Sequence, residues 1–298
     1  MFAPDQYELL DFGQGRKLER FGGYVLDRPA PAAESVPVAN PAPWKSAHAR
    51  YVREPAQRRG RASAQSHSRR ETEARGIWSP ADALPNRWTV THGSLTFELR
   101  PTPFGHVGLF PEQAENWDWL AARVRQADKP LRVLNLFAYT GGATLAAAAA
   151  GAEITHVDAA RNVVAWARRN ALASHLGDAP IRWIAEDAAR YVQRELRRGA
   201  RYDAIVLDPP SFGHGPQGQR WKLADHLPAL LEKCGHLTAG NLRFMLLTAH
   251  TPEFNAPRLR AMLKPFVPKG AKIKARPLAL TARDGRKLES GAMARWPG

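Results

Sequence analysis

The strongest constraint on the fold is a regular alternation of buried-strand and helix patterns between residues 131 and 250. The strand pattern LRVLNLF (131–137) is followed by the alanine-rich stretch 143–151, a strong helix former that Gly151 ends. Three further pairs of the same kind follow, and LRFMLLTAH (242–250) supplies a fifth strand pattern. Continuous apolar strands that alternate with helices are typical of a parallel sheet covered on both faces. The sequence therefore predicts an α/β fold.

Two strand patterns at the end of the sequence depart from this alternation. The segments KIKARPLAL and KLESGAMARW are separated only by TARDGR. A connection of that length joins neighbouring strands as an antiparallel pair, because a parallel pair needs a long crossover. We therefore expect these two strands to run antiparallel to each other.

The predicted α/β domain, residues 128–298, follows three shorter segments. Residues 1–28 alternate apolar and polar positions around glycines, which predicts a β-hairpin segment. Residues 29–86 are rich in proline and then in arginine, a composition that predicts a linker or an arm that orders on binding. Residues 87–127 have the patterns of β-strands and a helix that lead into the α/β domain. The helix is predicted over 114–127, and its apolar face carries Trp117, Leu120 and Val124.

The 298-residue chain carries 43 basic and 28 acidic residues, a net charge of +15, and this excess is unevenly distributed. Residues 45–75 hold nine basic and three acidic side chains, a net of +6. Residues 258–298 hold eleven and two, a net of +9, and elsewhere the charges cancel. Two basic segments favour a polyanionic partner held at particular surfaces. The alternative is a general excess of solvated arginines.

Composition excludes several classes of protein. The single cysteine, Cys234, excludes a disulfide framework and a cysteine-based metal cluster. The ten histidines form no metal-binding motif, so we predict no metal. No apolar run is long enough to span a membrane, and the start MFAPDQYELLDF lacks the basic and apolar regions of a signal peptide. We expect a cytoplasmic protein with no membrane partner.

Polar and glycine residues follow the predicted strands, at the edge of a parallel sheet where ligands bind. Gly141 and Gly142 follow the first strand, where they allow close approach to a ligand or simply form a tight turn. Asp158 follows the second strand and suits both hydroxyls of a ribose, or the cap of the next helix. Asp187 follows the third and either reaches an adenine amino group or caps a helix. Dinucleotide and S-adenosylmethionine sites share such a pattern.

The most discriminating segment is DPPSFG (208–213), which follows the fourth strand. Its two prolines stiffen the backbone and remove two N–H donors. Asp208 and the carbonyl of Pro209 can accept hydrogen bonds from a nitrogenous group, and Phe212 offers a face on which a planar base can stack. A purely structural proline turn would explain the prolines but neither the acid before them nor the aromatic ring after them. We therefore predict Asp208, Pro209 and Phe212 as catalytic residues.

The segments NLFAYTGG, VDAAR, EDA and DPPSFG resemble, in order and spacing, the class I S-adenosylmethionine-dependent methyltransferases. More narrowly, they resemble bacterial methyltransferases of large-subunit (23S) ribosomal RNA that carry a DPP-x-F motif. The upstream GLFPEQ (108–113) is similar to the segment that closes over the cofactor in that group. The resemblance covers roughly residues 87–298. It implies a doubly wound, mostly parallel, seven-stranded Rossmann-like sheet with an antiparallel last strand, beside a small N-terminal β-rich region.

The resemblance also implies S-adenosyl-L-methionine as cofactor, RNA as partner and a set of site residues. Substrate contacts are expected from Pro210, Ser211 and Lys222, whereas His214 and Trp221 have both substrate-contact and structural interpretations. The residues expected to bind the cofactor lie on the four motifs and on GLFPEQ; they are Phe110, Gln113, Phe137, Ala138, Thr140, Gly141, Gly142, Asp158, Ala159, Asp187, Ala188 and Asp208.

One departure from the related enzymes bears on the reaction. Members that methylate a pyrimidine carbon use a cysteine nucleophile, often just after the fifth strand, where this chain has Thr248, Ala249 and His250. Cys234 lies in an amphipathic helix pattern and is expected to be packed rather than reactive. We therefore predict direct in-line methylation of a base nitrogen without a covalent intermediate.

Three alternatives stay open at this level. Proline-rich motifs after the fourth strand also present glutamine amides, so a protein could be the substrate. A nicotinamide-dependent oxidoreductase shares Gly141, Gly142 and Asp158 but has no use for the DPPSFG segment. A catalytically silent RNA-binding module would retain the basic segments alone.

Overall fold

The computed structural model describes residues 1–54, 75–214 and 220–297. The chain divides into two compact units. The first consists of Met1–Pro111 and Leu280–Glu289, and the second of Glu112–Ala279 and Ser290–Gly298.

The first unit is built from β-strands. Five of them form one sheet in the order β1-β2-β3-β4-β5, in which only β3 and β4 are parallel. A separate antiparallel hairpin follows, formed by β6 and β7. The strands of the first unit are β1 Tyr7–Gly13, β2 Arg16–Phe21, β3 Tyr24–Pro29, β4 Ala49–Arg53, β5 Gly76–Ser79, β6 Trp88–His92 and β7 Leu95–Leu99.

The described part of residues 29–86, the range predicted as a linker or an arm that orders on binding, contains regular secondary structure. The strands β4 and β5 lie within it and extend the N-terminal sheet, so residues 1–28 form three strands of a larger sheet and not an isolated hairpin. Buried side chains hold these strands in place. Asp27 is almost fully buried and accepts hydrogen bonds from Arg16 and Arg50. The sequence did not predict these strands, because they are short and the composition of the whole range is dominated by proline and arginine. The remaining residues, 55–74, lie outside the described part.

The second unit contains six helices among its described residues and a seven-stranded sheet. The helices are α1 Ala114–Arg125, α2 Gly142–Ala149, α3 Arg161–Ala173, α4 Ala188–Arg197, α5 Leu223–Thr238 and α6 Ala256–Leu263. The sheet is formed by β8 Arg132–Leu136, β9 Glu153–Asp158, β10 Ile181–Ala185, β11 Ala204–Leu207, β14 Phe244–Ala249, β15 Lys274–Thr281 and β16 Lys287–Trp296. The strands β15 and β16 share residues with the stretch Leu280–Glu289 of the first unit. A separate antiparallel pair is formed by β12 Phe212–His214 and β13 Arg220–Lys222.

The large sheet has the order β10-β9-β8-β11-β14-β16-β15. Its first five strands are parallel, and β16 pairs antiparallel with β14. The α/β prediction, including the antiparallel last strand, is therefore confirmed. The chain winds outward from β8 to β10 and then returns to β11 on the other side of β8. This reversal opens a crevice beyond the carboxyl ends of β8 and β11, where open α/β sheets bind their ligands.

Alternate residues along the strands feed two separate cores, one on each face of the sheet. Leu134 packs in a cluster with residues of α4, α5 and α6 such as Leu227. Val133 packs on the opposite side with residues of α1 and α2 such as Leu120. Burial on both faces explains the continuous apolar strand patterns. Within the described ranges no helix combines the length and the apolar character that crossing a membrane requires.

Candidate functional site

The loop between β8 and α2 has an unusual backbone. Phe137 and Tyr139 have φ angles of +57° and +48°, and Gly141 has +96°. Side chains other than glycine rarely adopt this left-handed region, so such positions are typical of functional loops that the surrounding structure holds in place. The N–H of Ala138 donates to the carbonyl of Val157 at 3.0 Å, and thereby ties the loop to β9. The loop is thus a preformed cradle beside the crevice.

The two glycines of this loop serve different structural needs. Gly141 supplies the left-handed turn that leads into α2. Gly142 lies against α1, because a Cβ atom there would stand 2.5 Å from Cε2 of the Trp117 indole. Gly142 thus meets a packing requirement rather than that of the tight turn, and its role in approach to a ligand stays a prediction.

Asp158 lies at the end of β9 and anchors the same loop. Its carboxylate accepts one backbone hydrogen bond on each oxygen, from Tyr139 at 2.9 Å and from Ala160 at 3.0 Å. Its side chain does not cap α3, whose N-cap residue is Ala160. Burial raises the pKa of Asp158, although the two N–H donors act against that rise. Since a carboxylate oxygen accepts two hydrogen bonds, each oxygen retains capacity for a ligand hydroxyl beside its described partner.

Asp187 and Ala188 are at the start of α4. The Asp187 side chain accepts a hydrogen bond from the N–H of Arg190 at 3.0 Å and caps the helix. The methyl group of Ala188 is buried in the core. The capping interpretation of Asp187 is thus correct, and its contact with a ligand remains a prediction.

Asp208 follows β11 and receives hydrogen bonds from three side chains. Oδ1 accepts from Thr248 Oγ1 and lies 3.2 Å from Nε2 of His250. Oδ2 accepts from Nε2 of Gln113 at 3.2 Å. Burial alone would raise the pKa of Asp208, but the positive charge of His250 and the donated hydrogen bonds outweigh it and lower the pKa. This carboxylate therefore stays ionised at neutral pH and has a fixed orientation.

Gln113 is buried beneath this carboxylate. Its carbonyl oxygen Oε1 accepts a hydrogen bond from Asn116 at 2.8 Å, which orients the amide so that its nitrogen faces Asp208. The sequence identified Gln113 as a site residue, and the structure brings it into direct contact with Asp208. Its role toward the cofactor stays a prediction.

The end of the DPPSFG segment pairs antiparallel with β13, with Phe212 opposite Lys222 and Gly213 opposite Trp221. The carbonyl of Pro210 accepts a hydrogen bond from the indole of Trp221 at 2.7 Å, so Trp221 has a structural role here. Ser211 Oγ lies 2.5 Å from Thr251 Oγ1. Phe212 is 37% exposed, whereas Pro209 is buried. Lys222 is exposed on β13, 3.6 Å from Asp225. The Phe212 ring is thus exposed at the start of β12.

The other predicted site residues are distributed as follows. Phe137 is partly buried and its ring lies 4.9 Å from that of Trp221. Thr140 is buried, and its carbonyl accepts a hydrogen bond from Asn170. Ala138 is buried in the β8–α2 loop, and Ala159 is partly buried beyond β9. Phe110 belongs to the first compact unit, where its ring lies 5.3 Å from that of His106. The proposed roles of these residues toward the cofactor stay predictions.

Sequence reasoning did not assign Thr248 and His250 to the site. In the sequence, these two residues stand out only because they occupy the region where related enzymes have a cysteine nucleophile. The register of the parallel strands β11 and β14 pairs Leu207 with Leu247, so the residues that follow each strand are neighbours. Two polar residues at the end of an otherwise apolar strand pattern, Thr248 within β14 and His250 after it, were the available signal.

The fold and the crevice define this protein first as a class: a Rossmann-like α/β protein with a nucleotide-type site at the switch in strand order. The sequence profile of the S-adenosylmethionine-dependent methyltransferases matches residues 51–246. The chain belongs to this family of enzymes, whose methyl donor is S-adenosylmethionine. The recognition of the family from its four motifs is thus confirmed, and the nicotinamide-dependent alternative is not favoured.

Individual relatives agree with this assignment. The S-adenosylmethionine-dependent methyltransferase from Agrobacterium tumefaciens has a crystal structure that matches 98% of this chain and 91% of its own, with 37% identity and a TM-score of 0.84. The ribosomal RNA large subunit methyltransferase K/L of Syntrophotalea carbinolica is 33% identical over 145 residues, and that of Shewanella sp. strain MR-4 is 36% identical over 128. These matches cover 48% and 42% of this chain. They span only 19% and 17% of the relatives' own lengths.

The residues around the crevice fit S-adenosylmethionine. Asp158 offers acceptor capacity for two hydroxyls, and the left-handed turns of residues 137–141 hold the loop backbone beside it. Asp208 supplies a fixed negative charge at the end of the neighbouring strand, suited to a cationic ligand. A related fold, SMU.776, was crystallised in complex with S-adenosylhomocysteine; it is 17% identical and has a TM-score of 0.68.

Proposed function

We propose that this protein transfers a methyl group from S-adenosylmethionine to a base nitrogen in ribosomal RNA, by direct in-line displacement in the cytoplasm. The single observation that carries the proposal is the environment of Asp208. Its carboxylate is ionised and held by Thr248, His250 and Gln113, and the exposed Phe212 follows four residues later in the chain. Such a pairing of a fixed acceptor with a stacking face suits a planar nitrogenous base.

The number of hydrogen bonds that Asp208 can still accept limits its contacts with that base. Oδ1 already accepts hydrogen bonds from two donors, which fill both of its acceptor positions. Oδ2 accepts one from Gln113 and so retains one position with respect to the described residues. A single N–H of the substrate can therefore bind to Oδ2, while the Pro209 carbonyl provides a second acceptor as predicted from the sequence. Together they would orient the lone pair of the acceptor nitrogen.

The proposed reaction needs little further chemistry from the protein. The bound sulfonium supplies an electrophilic methyl group, so the remaining task is to align the acceptor and exclude water. Phe212 would stack on a base that has left its own stack, which favours a loop or single-stranded target. Asp158 and the loop of residues 137–142 would hold the donor, and water can take the proton that the methylated nitrogen loses.

A covalent route through cysteine is not supported. Cys234 is fully buried on α5, and burial raises the pKa of its thiol to about 12. Thr248 near the end of β14 and His250 directly after it are both engaged by Asp208. A buried thiol with a raised pKa supplies no thiolate for attack on a pyrimidine ring. Methylation of a nitrogen is therefore favoured over methylation of a carbon.

The basic segments would hold the RNA. In residues 258–298, Arg276, Arg283 and Arg286 form ion pairs with acidic residues, and so only part of the net charge serves a partner. A second group of basic side chains lines a groove of about 730 Å³ that follows α6; it comprises Arg260, Lys264, Lys269 and Lys272. We assign phosphate binding to this groove. Segment 45–75, most of which lies outside the described residues, is proposed as a second contact.

The decisive experiment identifies the modified nucleoside. Ribosomal RNA from a deletion strain would be digested and its nucleosides compared by mass spectrometry with those of the parent strain. We expect one methylated base to disappear and to return when the purified protein and S-adenosylmethionine are added to that RNA. The D208N variant should not restore it. A methyl group found only in protein, or on a ring carbon, would refute the proposal.

A further inference from the structure

The imidazole of His250 has a polar partner at each ring nitrogen. Nδ1 lies 2.6 Å from the carbonyl oxygen of Ser290, and Nε2 lies 3.2 Å from Oδ1 of Asp208. A carbonyl oxygen only accepts hydrogen bonds, so Nδ1 carries a proton. A lone pair on Nε2 would face the negative carboxylate, and the contact is favourable only if Nε2 is protonated too. The arrangement therefore requires an imidazolium cation.

The charged groups that face His250 from the surrounding elements favour the same state. Asp208 faces it from the end of β11, and Glu112 from the segment before α1. Oε2 of Glu112 is buried and receives no hydrogen bond from a described residue. Burial by itself lowers the pKa of His250, but the Asp208 charge, then Glu112 and the Ser290 carbonyl, outweigh it and raise the pKa to about 9.

The adjacent strand approaches Ala249 and the His250 ring closely at Gly291. Gly291 has a φ of +142°, and a Cβ atom there would overlap the carbonyl oxygen of Ala249 and lie 3.0 Å from Nδ1 of His250. The pairing of β16 with β14, which sets Ala292 opposite Ala249, brings the Ser290 carbonyl to the ring. The position of His250 is therefore set by the sheet and not by a mobile loop.

We propose that His250, as an imidazolium, is a positioning residue for methyl transfer: it holds Asp208 so that Oδ2 faces the acceptor nitrogen. The proposal deepens the proposed function and depends on it for the activity measurement. Loss of the proton from Nε2 would replace an attraction to Oδ1 with a repulsion. The carboxylate would then turn away, and transfer would slow although the fold is retained.

The protonation state can be measured without any substrate. In the protein labelled with ¹⁵N-histidine, the His250 resonances would be assigned from their loss in the H250Q variant and followed between pH 6 and 10. We expect two protonated ring nitrogens at pH 7.5 and titration near pH 9. In the D208N variant the pKa should fall by roughly 2 units, because an opposite charge at this range shifts a pKa by about 1–3 units.

The kinetic test uses hypomethylated ribosomal RNA from the deletion strain and S-adenosylmethionine. The wild-type kcat should be constant between pH 7 and 8 and fall above about pH 9. H250Q keeps a neutral donor, so we expect its kcat at pH 7.5 to fall about tenfold, with no alkaline decline and a nearly unchanged KM for S-adenosylmethionine. His236 is exposed on α5, and H236Q is the matched control that should retain both the rate and the pH profile.

The outcomes separate this proposal from the proposed function. A His250 that titrates near pH 6.5, or an H250Q variant with wild-type rate and alkaline decline, would overturn the positioning role. If no RNA accepts a methyl group from the wild-type protein, the proposed function fails. In that case the NMR titration still decides whether His250 is the imidazolium that holds Asp208.

Discussion

At the residue scale, Gly142 at the start of α2 serves packing, because its lack of a side chain leaves room for Trp117 of α1. Because the first residue of α2 lies against α1, the position opposite Trp117 has no space for a methyl group. A glycine pair in a nucleotide-binding sequence is usually assigned to ligand approach, but here one of the two is explained by a helix contact. Gly141 is thus required by the turn of the loop, and the neighbouring Gly142 by the packing of α1.

The G142A variant tests this contact. We expect it to lower the free energy of unfolding by about 1–3 kcal/mol, because the added methyl group overlaps the Trp117 indole. The measurement is urea denaturation followed by circular dichroism. The destabilisation should be smaller when Trp117 is replaced by leucine in the same chain. G23A, at a glycine whose Cβ would meet nothing within 4 Å, serves as the control. Equal effects in both backgrounds would contradict the explanation.

The ion pair of His250 and Asp208 also makes stability depend on pH. The pKa of His250 is about 9 in the folded protein against an ordinary value of 6.5, so its contribution is complete below pH 6.5 and is lost as the pH rises through 9. Asp208 has a lowered pKa, and its contribution is lost only in acid. We expect wild-type protein to exceed H250Q in unfolding free energy by about 1–2 kcal/mol at pH 6, after allowance for partial solvent exposure.

Denaturant titrations of both proteins at pH 6, 7.5 and 9.5 give the comparison. The difference between wild type and H250Q should shrink steadily over that range. A difference that is constant with pH would mean that His250 stabilises the fold through packing alone.

At the scale of secondary-structure elements, the periodic segments were predictable and the short ones were not. Helix α1 has Trp117, Leu120 and Val124 buried on one face, as the sequence predicted. The strands β4 and β5 were missed, because four or five residues within an arginine-rich region carry little periodic signal. These two strands are held in place by residues elsewhere in the first unit. For example, the hydroxyl of Tyr51 in β4 donates a hydrogen bond to the carbonyl of Pro103.

Helix α5 carries the only cysteine of the chain on its buried face. Burial raises the pKa of the Cys234 thiol to about 12, so the native protein should react with a maleimide far more slowly than the denatured protein. The C234A variant should retain its methyltransferase activity and lose about 1 kcal/mol of stability from the small cavity. Mass spectrometry of labelled protein and a methyl-transfer assay measure the two effects. An inactive but folded C234A variant would restore the covalent mechanism.

For the whole molecule, the distribution of the basic residues says more about RNA binding than the net charge does. Acidic residues partner several basic side chains of the C-terminal segment, whereas the groove of Arg260, Lys264, Lys269 and Lys272 gathers four basic side chains. Residues 55–74 carry five arginines and two glutamates. The sequence located both regions, but it did not distinguish basic residues that stabilise the fold from those placed in a groove.

Salt dependence of RNA binding tests both regions. Residues 55–74 can be replaced by Asn-Gly, because the N–H of Glu54 donates to the carbonyl of Arg75 at 2.9 Å and the strands β4 and β5 would keep their register. Removing a basic side chain that binds a phosphate should reduce the slope of log affinity against log salt by about 0.7–0.9. We expect a reduction of roughly 4 for this deletion, which removes five arginines, and of roughly 3 for a variant with four glutamines in the groove.

Filter binding of ribosomal RNA fragments between 50 and 300 mM salt gives the slopes. As a control, R276Q removes a basic residue paired with Glu115 and should change the slope little. A slope unchanged by the deletion would mean that residues 55–74 do not bind phosphates. A slope unchanged in the groove variant would mean that the groove does not bind them.

The sequence by itself determined the α/β class, the succession of strands along the chain and the segments at their carboxyl ends, because each depends on local periodicity, glycine and proline. Only the tertiary structure decided how Asp208 is held. Thr248 and His250 lie forty or more residues away, and they meet Asp208 because β11 and β14 pair in parallel with Leu207 beside Leu247. Strand order within the sheet and register are properties of the whole sheet, and no local pattern in the sequence encodes a contact between residues that follow two different strands.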